Sequence, residues 1–317
     1  MQAPVQDAAT RVVAADLIAL SRPAAKLDMH WRLPMASARA GLHLSSVRGR
    51  GVDFLESRHY QAGDDIRHMD WRVTARTGHA HTKVFHEERE RPMLVVLDFN
   101  RSMFFASRGA FKVVIAARFA ALMGWVSARS GDRIGAFGFG PDFNREIPPV
   151  SGRRGIMRLI RGMVQWCQPP AAEQAAQPLS SVLQRVRNVA RPGTMVFVVS
   201  DFYCLDDASE RHLNRLQQHG AVVLCPVFDR MEATPPARAS YPISDGQRAG
   251  LLHTHAGAAE AWRNAFLAHA RAIDAIARRL GLPMLPLDTA ESVVDGVRTR
   301  MKCMRSASVA GHYSEVA

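Results

Sequence analysis

The 317-residue chain has only four cysteines, Cys167, Cys204, Cys225 and Cys303, and no two of them form a C-x-x-C pair. Such spacing excludes a disulfide frame or a zinc knuckle as the organising device and suits free thiols in a reducing, cytoplasmic setting. No apolar run reaches the ~18 residues that a membrane span needs. The nearest, 113–128, is interrupted by Arg118 and reads as a buried helix. Near the N-terminus, Asp16 breaks the apolar stretch 12–20 and no basic segment precedes it, so no secretory signal is expected. Walker A and G-x-S-x-G sequences are absent, which removes two large classes of nucleotide hydrolase and esterase. The glycines of 135–140 run into Pro141 and Asp142 instead of a helix, so they mark a turn and not a dinucleotide loop. Acidic residues are also scarce: 29 Asp and Glu face 41 Lys and Arg, a net charge of +12. That balance favours acidic partners such as nucleic acid, but the cations are scattered and form no long basic run.

What the chain does have is a short unbroken apolar run ending in oxygen ligands. Residues 93–103 read MLVVLDFNRSM, with Asp98, Asn100 and Ser102 after the run. Five successive apolar residues suit a strand buried on both faces of a parallel sheet. The polar residues then fall in the loop at its carboxyl end, where open α/β sheets place ligand sites. From here the pattern alternates. Helices are expected at 111–130, 154–167, 179–190, 207–219, 258–280 and 290–301, and strands at 132–139, 142–150, 194–200, 221–228 and 283–287. The segment 231–256 reads as loop-rich with short edge strands. The fold class is therefore α/β, a mostly parallel sheet flanked by helices. Upstream, a helix over 8–20 is expected to end at Pro23, 61–64 to form a turn, and 82–85 a short strand. The stretch 50–91 is dense in both charges, which predicts Arg–carboxylate pairing.

The D-x-N-x-S of Asp98, Asn100 and Ser102 resembles the metal-ion-dependent adhesion site of the von Willebrand factor A fold, written D-x-S-x-S. Asp201, at the end of the apolar run 194–200, stands where that family has its last Asp. The resemblance implies hard-oxygen ligation of Mg²⁺, or of Mn²⁺ or Ca²⁺. The chain departs from it at Asn100, where a Ser is usual, and at Gln177, where a Thr would stand. A wider resemblance rests on G-R-G-V-D-F at 49–54, R-H-Y-Q-A-G-D-D-I-R at 58–67, M-D-W at 69–71, T-A-R-T-G at 74–78 and F-H-E-E-R-E-R at 85–91. These blocks resemble the bacterial domain of unknown function numbered fifty-eight, over nearly the whole chain. Its signature maps here onto Arg58, Tyr60, Gly63, Asp64, Asp65, Arg67, Asp70, Trp71, Arg76, Glu88 and Arg89. The resemblance implies a von Willebrand factor A-like domain at 92–300, preceded by an N-terminal helix and signature segment at 1–91. Residues 301–317 are expected to form a disordered tail. It also implies a non-enzymatic adaptor working with a MoxR-type AAA+ ATPase.

Two other functions fit parts of the chain. Asp64, Asp65 and Asp70 with His68 offer carboxylates for a metal-dependent hydrolase, although Arg58, Arg67, Arg72 and Arg76 interleave with them and favour structural pairing. A basic helix face at Arg153, Arg154, Arg158 and Arg161, and a basic stretch at Arg298, Arg300, Lys302 and Arg305, suit phosphate contacts of a nucleic-acid-binding protein. The H-x-H pairs His79/His81 and His253/His255 lack a third ligand at zinc spacing.

Overall fold

A computed structural model describes residues 7–27, 52–61, 64–87, 92–170, 174–237, 239–244 and 249–301. The expected tail beyond Met301 and the signature residues Gly63, Glu88 and Arg89 lie outside them. In chain order the elements are α1 (Asp7–Thr10), α2 (Ala14–Ala19), α3 (Ser21–Ala24), β1 (Val52–His59), α4 (Trp71–Thr77), β2 (His81–Glu87), β3 (Pro92–Asp98), α5 (Lys112–Arg129), β4 (Arg133–Gly140) and β5 (Phe143–Ser151). They continue with α6 (Gly152–Trp166), α7 (Leu179–Val189), β6 (Met195–Ser200), α8 (Asp207–His219), β7 (Ala221–Phe228), α9 (Arg230–Ala233), β8 (Ser240–Ser244), β9 (Ala249–His253), α10 (Ala256–Leu280), β10 (Leu287–Asp288) and α11 (Val293–Arg300). The chain divides into two compact units, Ala40–Glu90 and the remainder.

The larger unit is built on a six-stranded sheet in the order β10-β7-β6-β3-β4-β5. Every pairing is parallel except that of β5 with β4. Side chains of β3 alternate between two cores: Val95 and Leu97 join α5 and α6, while Leu94 and Val96 join α7, α8 and α10. This is why the run 93–97 is unbroken: both faces are dry, and each buried Val or Leu contributes about 1.5–3 kcal/mol.

Helix α5 is buried around most of its circumference because α2, α3, α6 and α11 cover the sides that the sheet does not. Two polar bonds pin the cover: the Trp125 indole N–H donates to the carbonyl of Leu17 at 2.9 Å and Arg118 to that of Ala8 at 3.1 Å. The N-terminal helices thus pack with the sheet, and Val12, Leu17 and Ala24 belong to its core. Pro23 does not end the helical segment. It sits inside the first turn of α3, where its missing N–H costs no hydrogen bond.

The expected strand 283–287 is cut short. Leu224 bonds to Pro283 and Leu285, a bridge forms at Met284, and the ladder resumes only in β10. Pro286 has no N–H to donate between them. Within 231–256, where short edge strands were expected, β8 and β9 pair with each other as a separate two-stranded sheet among the described residues.

A turn near the sheet's end depends on Gly109. Its φ is +75°, and a Cβ there would lie 2.1 Å from the carbonyl oxygen of Thr289. Gly109→Ala is expected to lose at least the ~1–3 kcal/mol of a strained left-handed residue, with the clash adding to it. Urea unfolding monitored by circular dichroism measures this; a midpoint equal to wild type refutes it.

The smaller unit pairs β1 with β2 antiparallel, from Val52 opposite Glu87 to His59 opposite His81. Residues 52–59 did not read as a strand because charged residues interrupt any alternation. The strand expected at 82–85 extends to His81–Glu87.

Candidate functional site

Strand order reverses at β3: the chain goes out through β4 and β5, then returns to place β6 on the other side. Loops at the carboxyl ends of β3 and β6 diverge at such a switch point and leave a crevice. Asp98 ends β3 and Asp201 follows β6, so both carboxylates come to this crevice.

Asp98 is fully buried. Its Oδ1 accepts the backbone N–H of Asn100 at 2.7 Å, and its Oδ2 accepts the Ser200 hydroxyl at 2.6 Å and the Cys204 thiol at 3.4 Å. Burial, then the charge of Asp201, raises its pKa to about 7 against the pull of these bonds. Ser200 Oγ also accepts the N–H of Phe202 at 2.8 Å. Phe202 is buried in left-handed backbone, φ 63°, uncommon for a residue with a side chain. This sharp turn leaves Phe202 inside and Tyr203 51% exposed.

Asn100 bridges to the segment before α7. Its Oδ1 accepts from the Gln177 N–H at 2.9 Å and its amide donates to the Gln177 carbonyl at 3.4 Å. Gln177 therefore contributes its backbone to this bridge, while its side-chain amide donates to Asn144 and Ser181. Ser102 lies half-buried in the 3-10 turn Arg101–Met103.

Lys112 is a site residue that the reading of the sequence did not single out. Its side chain is completely buried at the first position of α5, and its ammonium lies 2.8 Å from Asp201 Oδ2 and 2.7 Å from Glu232 Oε1. A cation at a helix N-terminus opposes the helix dipole, so the carboxylates must offset both that field and dehydration. Burial alone would lower the Lys112 pKa; the charges of Asp201 and Glu232 outweigh it and raise it. Burial raises the pKa of Glu232, opposed by Lys112. A capping box fixes Glu232: its Oε2 accepts the N–H of Asp229, the N-cap of α9, at 2.9 Å. Asp229 is held by Ser107, Thr289 and Met231. The available signal was a lysine immediately before a long apolar helical run, where a dehydrated cation requires acidic partners.

Helix α10 closes the site on one side. Trp262 donates its indole N–H to the Glu232 carbonyl at 2.9 Å, and His269 Nε2 lies 2.8 Å from the Asp201 carbonyl. The Tyr203 and His269 rings stack, 4.2 Å between centroids and 7° apart, with Lys112 Nζ 5.6 Å from the Tyr203 centroid. Trp262, Phe266 and His269 fall at spacings of four and three, one face of a helix.

In the smaller unit the acidic signature residues are engaged locally. Asp64 accepts from Arg58 at 2.7 Å and from the Gln61 N–H at 2.9 Å, contacts that hold its carboxyl below the usual range, the backbone bond most of all. Asp65 caps the turn Ile66–His68 through the Arg67 N–H. Asp70 caps α4 through the Val73 N–H and accepts the Ser57 hydroxyl at 2.6 Å; the Ser57 bond and then the cap lower its pKa. Asp64 thus pairs with an arginine, and Asp65 and Asp70 each cap a helical turn through a backbone N–H. Tyr60 extends the strand pairing through its N–H to the Ala80 carbonyl. Arg76 lies in the last turn of α4, and Trp71 at its first position is 67% exposed.

His255 caps α10, and His253 faces the Ser240 hydroxyl. His79 offers its carbonyl to the His81 ring at 2.7 Å. Among the described residues, no cluster of three or more His, Cys, Asp or Glu is arranged to hold a metal ion. Arg153, Arg154, Arg158 and Arg161 occupy the solvent face of α6. Arg298 and Arg300 pair with Asp295 and Glu291, and Lys302 and Arg305 lie outside the described residues.

Among the described residues, no helix is long and apolar enough to cross a membrane. Uncharacterized proteins of Mycobacterium bovis and Mycobacterium tuberculosis are 27% identical to this chain over 274 residues, 86% of it and 86% of each of theirs. Two solved structures align with 68% of the chain. One is BatB from Bacteroides thetaiotaomicron, at 12% identity and TM-score 0.43 over 100% of that protein. The other is an aerotolerance-related membrane protein from Bacteroides fragilis, at 13% identity and TM-score 0.44 over 98%. The family model described as "Protein of unknown function DUF58" matches residues 56–275, so the chain belongs to that family.

Proposed function

We propose that this chain is a non-enzymatic docking adaptor of von Willebrand factor A-like build, and that it works with a MoxR-type AAA+ ATPase in assembling or activating a protein complex. The observation that carries the reading is Tyr203. It is half exposed at the sheet's switch point and stacks flat on His269. A rigid aromatic presented beside a crevice is the kind of residue on which binding energy concentrates. The free thiols Cys167, Cys204 and Cys225 support a reducing, cytoplasmic setting.

The donor set argues against a resident Mg²⁺, Mn²⁺ or Ca²⁺ at Asp98, Asn100, Ser102 and Asp201. Both oxygens of Asp98 accept protein hydrogen bonds, and the Asn100 carbonyl accepts from Gln177. Asp201 already faces a cation, the Lys112 ammonium. A dication here would require displacement of these donors and would meet that ammonium's charge. The docking reading therefore routes nothing through a metal.

The test is a binding titration of the purified chain against the MoxR-type ATPase of its own genome, with Tyr203→Ala alongside. Loss of roughly tenfold or more in affinity is expected for the variant, the scale of a hot-spot aromatic. No complex with the wild type, or equal affinity for the folded variant, would refute the proposal.

A further inference from the structure

Beside Tyr203 an open groove of about 490 Å³ is lined by Phe105, Tyr203, Glu232, Trp262, Ala265 and Phe266. Four of these six are aromatic, one is a carboxylate, and none is a cation. The polar capacity is skewed toward acceptance. Trp262 has committed its indole N–H to the Glu232 carbonyl, so that donor is not available to a ligand. Glu232 spends one hydrogen bond per oxygen, on Lys112 and on the Asp229 N–H, which leaves carboxylate lone pairs on a side chain still 15% exposed. Behind it, Lys112 contributes one positive charge against the two carboxylates that hold it, Asp201 and Glu232. The wall of the groove is thus acidic on a chain whose net charge is +12.

From this lining we infer that the groove receives an arginine side chain of a partner protein. The inference rests on the docking reading and names the chemistry that the docking surface selects. A guanidinium is planar and weakly hydrated, so it can lie against aromatic rings while directing several N–H donors at a carboxylate. A lysine ammonium matches the charge but lacks the plane and retains its water more strongly. An anionic group finds no exposed cation in the lining, and an aliphatic side chain covers the remaining lone pairs of Glu232 without bonding them.

The test uses the full chain and N-acetyl-arginine amide as probe, with the corresponding citrulline, lysine and norleucine amides as comparisons. Tryptophan indole N–H resonances report on the titration, the Trp262 signal being assigned by its loss in Trp262→Phe. Saturable shifts of the Trp262 signal are expected with the arginine amide, weaker ones with lysine, and none with citrulline, which keeps the shape but not the charge. Ala265→Trp fills the groove from an exposed helical position that makes no bond in the ion cluster, and is expected to weaken arginine binding at least tenfold. Equal responses to citrulline and arginine, an unaffected Ala265→Trp protein, or no saturable shift would each overturn the inference. If the ATPase titration fails while arginine still binds, the choice of partner is wrong and the groove stands. If the ATPase binds through Tyr203 while arginine amide does not, the docking reading stands and the groove assignment falls.

Discussion

Lys112→Met is expected to destabilise the fold by about 3–5 kcal/mol, the range for removing one partner of a buried ion pair. Methionine fills much of the space of the lysine stem, so packing changes little. What changes is charge: Asp201 and Glu232, with side chains 2% and 15% exposed, lose the ammonium between them. The cost comes from two dehydrated carboxylates left facing each other. A second substitution, Glu232→Gln, is therefore expected to recover part of the loss in the Lys112→Met background while lowering stability when made alone. That non-additive pattern separates a charge effect from a packing defect. Urea unfolding of the four proteins measures it. A loss below roughly 1 kcal/mol for Lys112→Met, the level of an exposed ion pair, would contradict the structural assignment. The same measurements with added Mg²⁺ examine the metal question independently of any partner. Wild type is expected to show no gain. A gain in wild type as large as that in Lys112→Met would mean that the dication and the ammonium do not share a place.

The second large effect is a dependence on pH that belongs to Asp98. Its carboxyl titrates near 7 in the fold because of burial and the neighbouring Asp201 charge, against 3.8 for an unperturbed Asp. Between those two values the folded chain holds a proton that the unfolded chain has released. Stability therefore falls as pH rises through this window, by at most about 1.4 kcal/mol per unit and roughly 4 kcal/mol across it. Below the unfolded value both states are protonated, and above the folded value both are ionised, so the slope from this group vanishes at both ends. Asp98→Asn removes the proton exchange and keeps an amide able to meet the Ser200 hydroxyl and the Asn100 N–H. Relative to wild type, the variant is expected to gain stability steadily from pH 5 to pH 7. Glu232 is also raised by burial and slopes in the same direction, but it is present in both proteins and largely drops out of their difference. Parallel pH profiles for the two proteins would show that Asp98 is ionised throughout.

Both predictions concern residues that the sequence treats unequally. Asp98 was visible because a strand buried on both faces leaves an unbroken apolar run, and the first polar residue after such a run must sit at the sheet's edge. The same logic found Asp201 after 194–200. Most of the alternating pattern was legible for the same reason: helix α8 and strand β7 lie at 207–219 and 221–228, as the sequence indicates. Local rules were weaker where the chain departs from regular hydrogen bonding. Pro286 interrupts the last ladder, and the charged sequence of β1 hides a strand whose pairing with β2 supplies its register.

The sequence by itself determined the central strand, the placement of two acids at the ends of β3 and β6, and the family signature. Only the tertiary structure decided what those acids do. Lys112 is 89 positions from Asp201 and 120 from Glu232, so no spacing rule relates them. They meet because the return of the chain across β3 brings the start of α5, the end of β6 and the cap of α9 to one edge. There, dehydration makes the ammonium and the carboxylates depend on each other. The acid that follows β6 thereby faces a cation of the protein itself, the Lys112 ammonium.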